Sequence, residues 1–267
     1  MFTETAAEAW RLRYGTDVPE GLEVPDRFLT HRSVRDYAGR EIPESVVTGL
    51  IACAQSAATS SNLQLWSVVS VQEPSRRAEI ARLCADQKQV YNAALYLCFL
   101  VDHYRLRNAA AAVGESCEGL DYKEYYTMAV VDAALAAERL FCAAESIGIG
   151  GCYIGALRND PVGVAELLAL PEGVFGVFGL ALGYPAEDCT AKIKPRLSQD
   201  KVWFREKYDR DVNVGDYNER MAEFNESEGR NASVTWSMRS GRRVDEHHLT
   251  GRGGQKEFLE SRGIDKR

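Results

Sequence analysis

Residues 127–147 constrain the fold more than any other stretch. They form an Ala-rich helical pattern, apolar almost all round, in which Asp132, Glu138, Arg139 and Glu145 leave one narrow polar stripe. Such a helix cannot face water over most of its circumference, so it is expected within a core or at a subunit interface. At 267 residues the chain can bury one substantial core with appended arms. Pro43 opens a second helical pattern, with Val46, Val47, Leu50, Ile51 and Ala54 on one face. Residues 66–71 read as a strand, Pro74 starts a short helix through Ile80 and Leu83, and residues 94–101 read as a buried strand. Pro161 begins a helix through Val164, Leu167 and Leu168, and residues 177–183 form a further buried strand. This predicts an α+β fold: one mixed sheet flanked by helices. After Arg196 the chain turns charge-rich. Residues 200–267 are expected to be an arm that wraps the core or a partner subunit, and residues 1–199 to be the core. Gly251-Arg252-Gly253-Gly254 makes a joint before a last short helix around Phe258 and Leu259.

The charge balance narrows the partners. A net charge of −7 argues against nucleic acid or anionic membrane as a bulk partner. The N-terminus carries Glu4, Glu8, Arg11 and Arg13 with no apolar h-region, and the longest near-apolar run, 93–101, is far short of a bilayer span. A cytoplasmic protein is expected. The seven cysteines include no CxxC pair and sit mostly in apolar contexts, so they read as reduced core fillers. No His, Cys or carboxylate cluster has metal-ligand spacing, so no metal is expected.

Against that acidic background, cations gather in two places. His31-Arg32-Ser33-Val34-Arg35 sets two guanidinium groups three apart with a hydroxyl between, a donor set suited to a phosphate monoester. The alternative is a surface basic turn balanced by Asp36 and Glu41. Lys194-Pro195-Arg196 adds two cations on a proline-stiffened backbone, or is a solvated loop. Between them, Thr59-Ser60-Ser61-Asn62 and Gln64 offer hydroxyls and amides to a ribityl chain or ring edge, unless they merely end a helix. Gln87-Lys88-Gln89 offers donors to the carbonyl edge of a ring, or is an exposed turn. Gly150-Gly151-Cys152-Tyr153-Ile154-Gly155-Ala156 fails the dinucleotide fingerprint, since its glycines do not follow GxGxxG and it follows a long helix, not a strand. Its bare backbone is expected to approach a flat ligand.

The order and spacing of HRSVRDY, IPESVVTGLIACAQSAATSSNLQ, DQK, AALYLCFLVD, AAESIGIGGCYIGALRNDP, LPEGVFGVFGLALGYP and IKPRLS resemble the NADPH-dependent, oxygen-insensitive nitroreductase and flavin reductase family. The resemblance covers roughly residues 28 to 200 and returns at Thr235-Trp236-Ser237. It implies a homodimer that binds FMN through His31, Arg32, Ser33, Val34, Arg35, Thr59, Ser60, Ser61, Asn62, Gln64, Gln87, Lys88, Gln89, Gly150, Gly151, Tyr153, Ile154, Gly155, Ala156, Lys194, Pro195 and Arg196. It implies no catalytic acid–base residues, because the flavin carries the chemistry and the protein binds and tunes it. NADPH or NADH would be the donor, and nitroaromatics, quinones or free flavin the acceptors, in ping-pong order. Two other readings stay open: a flavin reductase supplying a partner monooxygenase, and a non-catalytic flavin-binding protein. The chain departs from the family before Thr235, where NADPH-specific members place arginines. It has Glu228-Gly229-Arg230-Asn231-Ala232-Ser233, leaving Arg230 as the NAD(P)H-binding candidate.

Overall fold

A computed structural model describes residues 2–23 and 26–267. In chain order the helices and strands are α1 (Ala6–Tyr14), α2 (Asp26–Leu29), α3 (Glu44–Gln55), β1 (Trp66–Ser70), α4 (Pro74–Leu83), α5 (Lys88–Asn92), β2 (Leu95–Asp102), α6 (Tyr104–Val113), α7 (Lys123–Ser146), β3 (Gly150–Ile154), α8 (Pro161–Leu167), β4 (Val174–Gly183), α9 (Gly215–Ser227), α10 (Trp236–Arg243) and α11 (Gln255–Ser261). They fall into two compact units, a sheet unit of Ser33–Thr190 with Thr250–Arg267 and a helical unit of Met1–Arg32 with Ala191–Leu249.

The sheet unit is built on four strands in the order β1-β2-β4-β3, every pairing antiparallel. An isolated parallel bridge, Ser33 to Gly151, lies outside these strands. All eight residues of β2 are buried, because alternate side chains enter separate apolar clusters on the two faces. Leu95, Leu97 and Phe99 join α3 and α7, whereas Tyr96, Cys98 and Leu100 join α4, α5 and α8. Small residues let α7 lie close: Ala129, Ala133, Ala136, Ala137 and Ala144 are all fully buried. A third cluster brings Leu259 and Ile264 from the 250–267 segment against Leu65, Val101 and Phe175.

Local chemistry explains the helix starts. Pro43 precedes α3, Glu73 caps α4 by accepting the Ser75 and Arg76 amides, and Asp160 caps α8 by accepting the Gly163 amide. β4 begins three residues earlier than the sequence predicts. There Gly176 pairs with Leu100, its bare Cα facing Leu157 and Val164. The strand β3 lies where a ligand-facing glycine loop is expected. On α7, the expected polar stripe loses one member, since Asp132 points inward and is buried. The exposed face of α7 instead shows Val131 and Leu135.

The helical unit buries Ala9 and Trp10 of α1, Tyr217 and Met221 of α9, and Ile193. The Thr235-Trp236-Ser237 motif starts α10. Thr235 accepts the Met238 amide, Trp236 meets Tyr217 edge-on at 5.3 Å, and the Ser237 amide donates to Asn218. Among the described residues no helix is long and apolar enough to cross a membrane, and no His/Cys/Asp/Glu group could hold a metal.

Candidate functional site

In the helical unit one buried side chain organises the basic segments. Arg13 is 5% exposed. Its Nε donates to the Leu29 carbonyl at 2.8 Å, one Nη to His31 at 2.7 Å and the other to Lys194 at 3.3 Å. The Arg13 carbonyl in turn accepts the Arg196 amide at 2.9 Å. A guanidinium presents five donors in a fixed plane, which suits three carbonyls converging from two distant segments. His31 and Lys194-Pro195-Arg196 are thereby neighbours. Two further contacts brace the second segment: Tyr217 donates its hydroxyl to the Pro195 carbonyl, and Arg220 donates to the Arg196 carbonyl. Arg196 itself is exposed, and its guanidinium reaches only the carbonyls of Lys194 and Pro195.

Arg32 lies differently from the expectation that it faces a phosphate. Its side chain is buried, and both Nη atoms donate to the Glu4 carboxylate at 2.9 Å while Nε donates to Thr30. The Phe2 ring covers the guanidinium at 4.0 Å. This partner holds the Glu4 carboxyl below the usual range. Arg32 thus serves the helical unit internally. Arg230 forms a looser pair with Glu228, which Lys192 also holds at 3.0 Å. The acidic residue that would oppose an anion in this arm therefore sits between two cations.

In the sheet unit, Val34 is buried and its amide donates to the Gly151 carbonyl. Ser33 and Arg35, on either side, are exposed. Arg35 makes no ion pair with Asp36 or Glu41, so the balanced basic turn does not form. The loop 59–64 is held from beneath and from its end. Asp132 accepts the amides of Ser60 at 2.9 Å and Leu65 at 3.2 Å. Arg105 donates to the carbonyls of Gln64 and Trp66 and pairs with Asp102. Between these ties Ser61, Asn62 and Gln64 adopt left-handed backbone, φ 49°, 55° and 51°. Such residues cost of order 1 kcal/mol or more apiece and persist only where the surroundings hold them. Thr59 and Ser60 are half-buried, while Ser61, Asn62 and Gln64 are exposed.

Gln87 sits at the N-terminus of α5 and not in a plain turn. Its amide donates to Cys84, and Gln89 donates back to Gln87. Lys88, the first residue of α5, is exposed. The glycine segment forms β3, buried except at Tyr153. A Cβ on Gly150 would strike Val34, and one on Gly151 would strike the Ala181 carbonyl and Leu182, so close packing inside the unit requires both glycines. Ile154 and Ala156 are buried in the core, and Gly155 follows β3 in a short turn. Tyr153 alone turns outward from β3. It ends an aromatic row that crosses all four strands, Trp66 to Phe99 to Phe178 to Tyr153, with centroids 5.4–6.1 Å apart. Its hydroxyl donates to Glu138 at 3.0 Å, and burial together with that carboxylate pushes its pKa up.

The sequence singles out the loops but not their supports. Arg13, Glu4, Asp132 and Arg105 act on backbone groups or on another scaffold residue, and none stands in a motif. Asp132 had the one available signal, a carboxylate on a helix otherwise packed with alanine.

The model of the nitroreductase family matches residues 29–184, and that of the nitroreductase family C-terminal domain matches residues 194–267. The chain is 36% identical to the FMN reductase (NADPH) of Bacillus subtilis (strain 168), over 73% of this chain and 78% of that protein. It is 35% identical to an NADPH-dependent oxidoreductase of Staphylococcus aureus (strain MSSA476), over 78% of this chain and 85% of the other. Among solved structures, NfrA1 from B. megaterium superposes with a TM-score of 0.83 at 33% identity, over 90% of this chain and 98% of that one.

Proposed function

The chain belongs to the nitroreductase family, and from that premise we propose that it is an FMN-dependent oxidoreductase that takes a hydride from NADPH or NADH and reduces a small organic acceptor. One observation carries the reading: in an acidic protein, Arg13 fastens the His31 and Lys194–Arg196 segments side by side. The residues fit a flavin phosphate and ring. Arg196 and Arg35 are exposed cations, and the rigid loop 59–64 presents hydroxyl and amide groups. We assign phosphate contacts to His31, Ser33, Arg35, Lys194 and Arg196. Contacts to the ribityl chain and ring go to Thr59, Ser60, Ser61, Asn62, Gln64, Gln87, Lys88, Gln89, the backbone of 150–156 and Tyr153. Bound FMN would supply reversible two-electron chemistry. The protein's part is to bind, to orient and to keep donors beside the ring.

Donor and acceptor are proposed to use one place in turn, which gives ping-pong kinetics. Nitroaromatics, quinones and free flavin are the acceptor classes. The name of the Bacillus subtilis relative favours free FMN among them, which leaves room for a partner monooxygenase. With Glu228 shared between Lys192 and Arg230, NADH should be used within roughly tenfold of NADPH, about 1.4 kcal/mol of discrimination. Val131 and Leu135, exposed on α7, support a homodimer. The test is direct. Purified protein should be yellow, release FMN on denaturation and bleach anaerobically with NADPH. Varying donor and acceptor together should give parallel double-reciprocal lines. Protein that stays colourless after incubation with FMN sinks the assignment; intersecting lines sink the ping-pong order.

A further inference from the structure

We propose that residues 2–17 are a clamp added to the family's fold, with Arg13 as a positioning residue that sets the affinity of the phosphate-binding segments. The proposal rests on the FMN reading above. Its starting point is that both family models leave residues 2–28 outside their matches, 29–184 and 194–267. Yet this outlying segment makes the contacts that fix the matched ones.

The segment is well specified. Thr5 and Glu8 form a reciprocal capping box at the start of α1, and Gly15, at φ 69°, closes its end. Between them Ala9, Trp10 and Arg13 turn to one buried side, and the Trp10 indole N–H is satisfied by Thr16. From that platform Arg13 ties Leu29, His31 and Lys194 through their carbonyls and takes the Arg196 amide on its own carbonyl. Glu4 and Phe2 hold Arg32 from the other side. The backbone on both sides of His31 and along 194–196 is therefore fixed before any anion arrives. Preorganisation of this kind raises affinity by removing ordering that the ligand would otherwise impose. The segment also removes Arg32 from the set of available cations, so the charge offered to a phosphate is fewer groups held more rigidly.

The test uses the full chain. Arg13→Gln removes two of the three carbonyl ties, and Arg13→Lys keeps the charge with one. FMN affinity is read by titrating apoprotein, alongside kcat at saturating FMN, the thermal midpoint, and amide exchange over residues 29–32 and 193–197. Arg13→Gln should raise the FMN Kd about 10- to 100-fold. It should leave kcat at saturating FMN within about twofold, and speed exchange in both segments. Arg13→Lys should fall between the two, and it carries the test alone if Arg13→Gln does not fold. An unchanged Kd overturns the proposal. So does a joint loss of FMN affinity, kcat and thermal midpoint that Arg13→Lys does not relieve, because that marks a purely structural residue. If wild-type protein does not bind FMN, the functional reading fails by itself. The clamp is then judged by exchange: faster exchange at 193–197 in the variant supports it, and unchanged exchange refutes it.

Discussion

Removing the Asp132 carboxylate should loosen the loop 59–64 before it unfolds anything else. The side chain is 1% exposed and accepts two backbone amides, Ser60 and Leu65. Hydrogen bonds to a carboxylate contribute about 1.5–3 kcal/mol each. After Asp132→Ala, water can reach the half-buried Ser60 amide. Leu65, wholly buried, keeps an unsatisfied donor that costs a further ~1–3 kcal/mol. Against this, three left-handed residues between the two ties can relax, returning about 1 kcal/mol or more apiece. The balance is a loss of about 1–6 kcal/mol, or roughly 2–20 °C in the melting midpoint for a unit of this size. Asp132→Asn should lie between, because one amide oxygen can serve only one donor while its NH2 opposes the other. Melting followed by circular dichroism gives the size of the effect, and amide exchange at Ser60 and Leu65 gives its place. An Asp132→Ala protein that melts within about 2 °C of wild type, with the Leu65 amide still protected, would refute the assigned role. A large melting loss without faster exchange at Ser60 would show that the helix, not the loop, needed the carboxylate.

Other expectations are narrower. Arg35→Ala and Arg196→Ala should each weaken FMN binding by about 1.5–3 kcal/mol, ten- to over a hundredfold, with little change in melting of the apoprotein because both side chains are exposed; unchanged affinity in both would remove them from the phosphate site. His103 is fully buried, its Nε2 faces the Tyr125 carbonyl, and burial pushes its pKa below the ordinary 6.5. The unfolded chain then binds the proton more readily than the folded one. Stability should be flat above about pH 6.5 and fall below it, by at most ~1.4 kcal/mol per pH unit, until the folded pKa is reached. Urea melts of wild type and His103→Gln between pH 7.5 and 5 check this, and identical pH profiles would rule it out.

Where structure follows from neighbours in sequence, it was readable. Pro43, Pro74 and Pro161 mark α3, α4 and α8 because a proline at a helix start, and at α4 and α8 the cap beside it, act within four residues. The burial of β2 and α7 was readable from composition alone. At Gly150, Gly151 and Gly176 the sequence does not reveal that the bare Cα also serves close packing between elements. The site shows the same division. Its exposed polar loops stand out, since Ser, Asn and Arg cluster there. Its supports do not, since Arg13 meets Lys194, and Asp132 meets Ser60, only after the chain has folded. Arg32 looked like a ligand because nothing local reveals Glu4 as its partner.

The composition of the sheet unit, 33–190 with 250–267, has a consequence for how the protein is made. Its central pairing, β2 with β4, joins residues 72 to 87 positions apart, Asp102 with Val174 and Leu95 with Leu182, which slows folding. Its third cluster also needs Leu259 and Ile264. On a ribosome adding about 5–20 residues per second, Thr190 is made roughly 4–15 s before Ile264. During that interval Leu65, Val101 and Phe175 lack the cover of Leu259 and Ile264, and that part of the sheet unit exposes apolar surface. A nascent chain of this design should depend on holding factors late in synthesis, and rare codons after residue 190 should lower its soluble yield more than rare codons before β1.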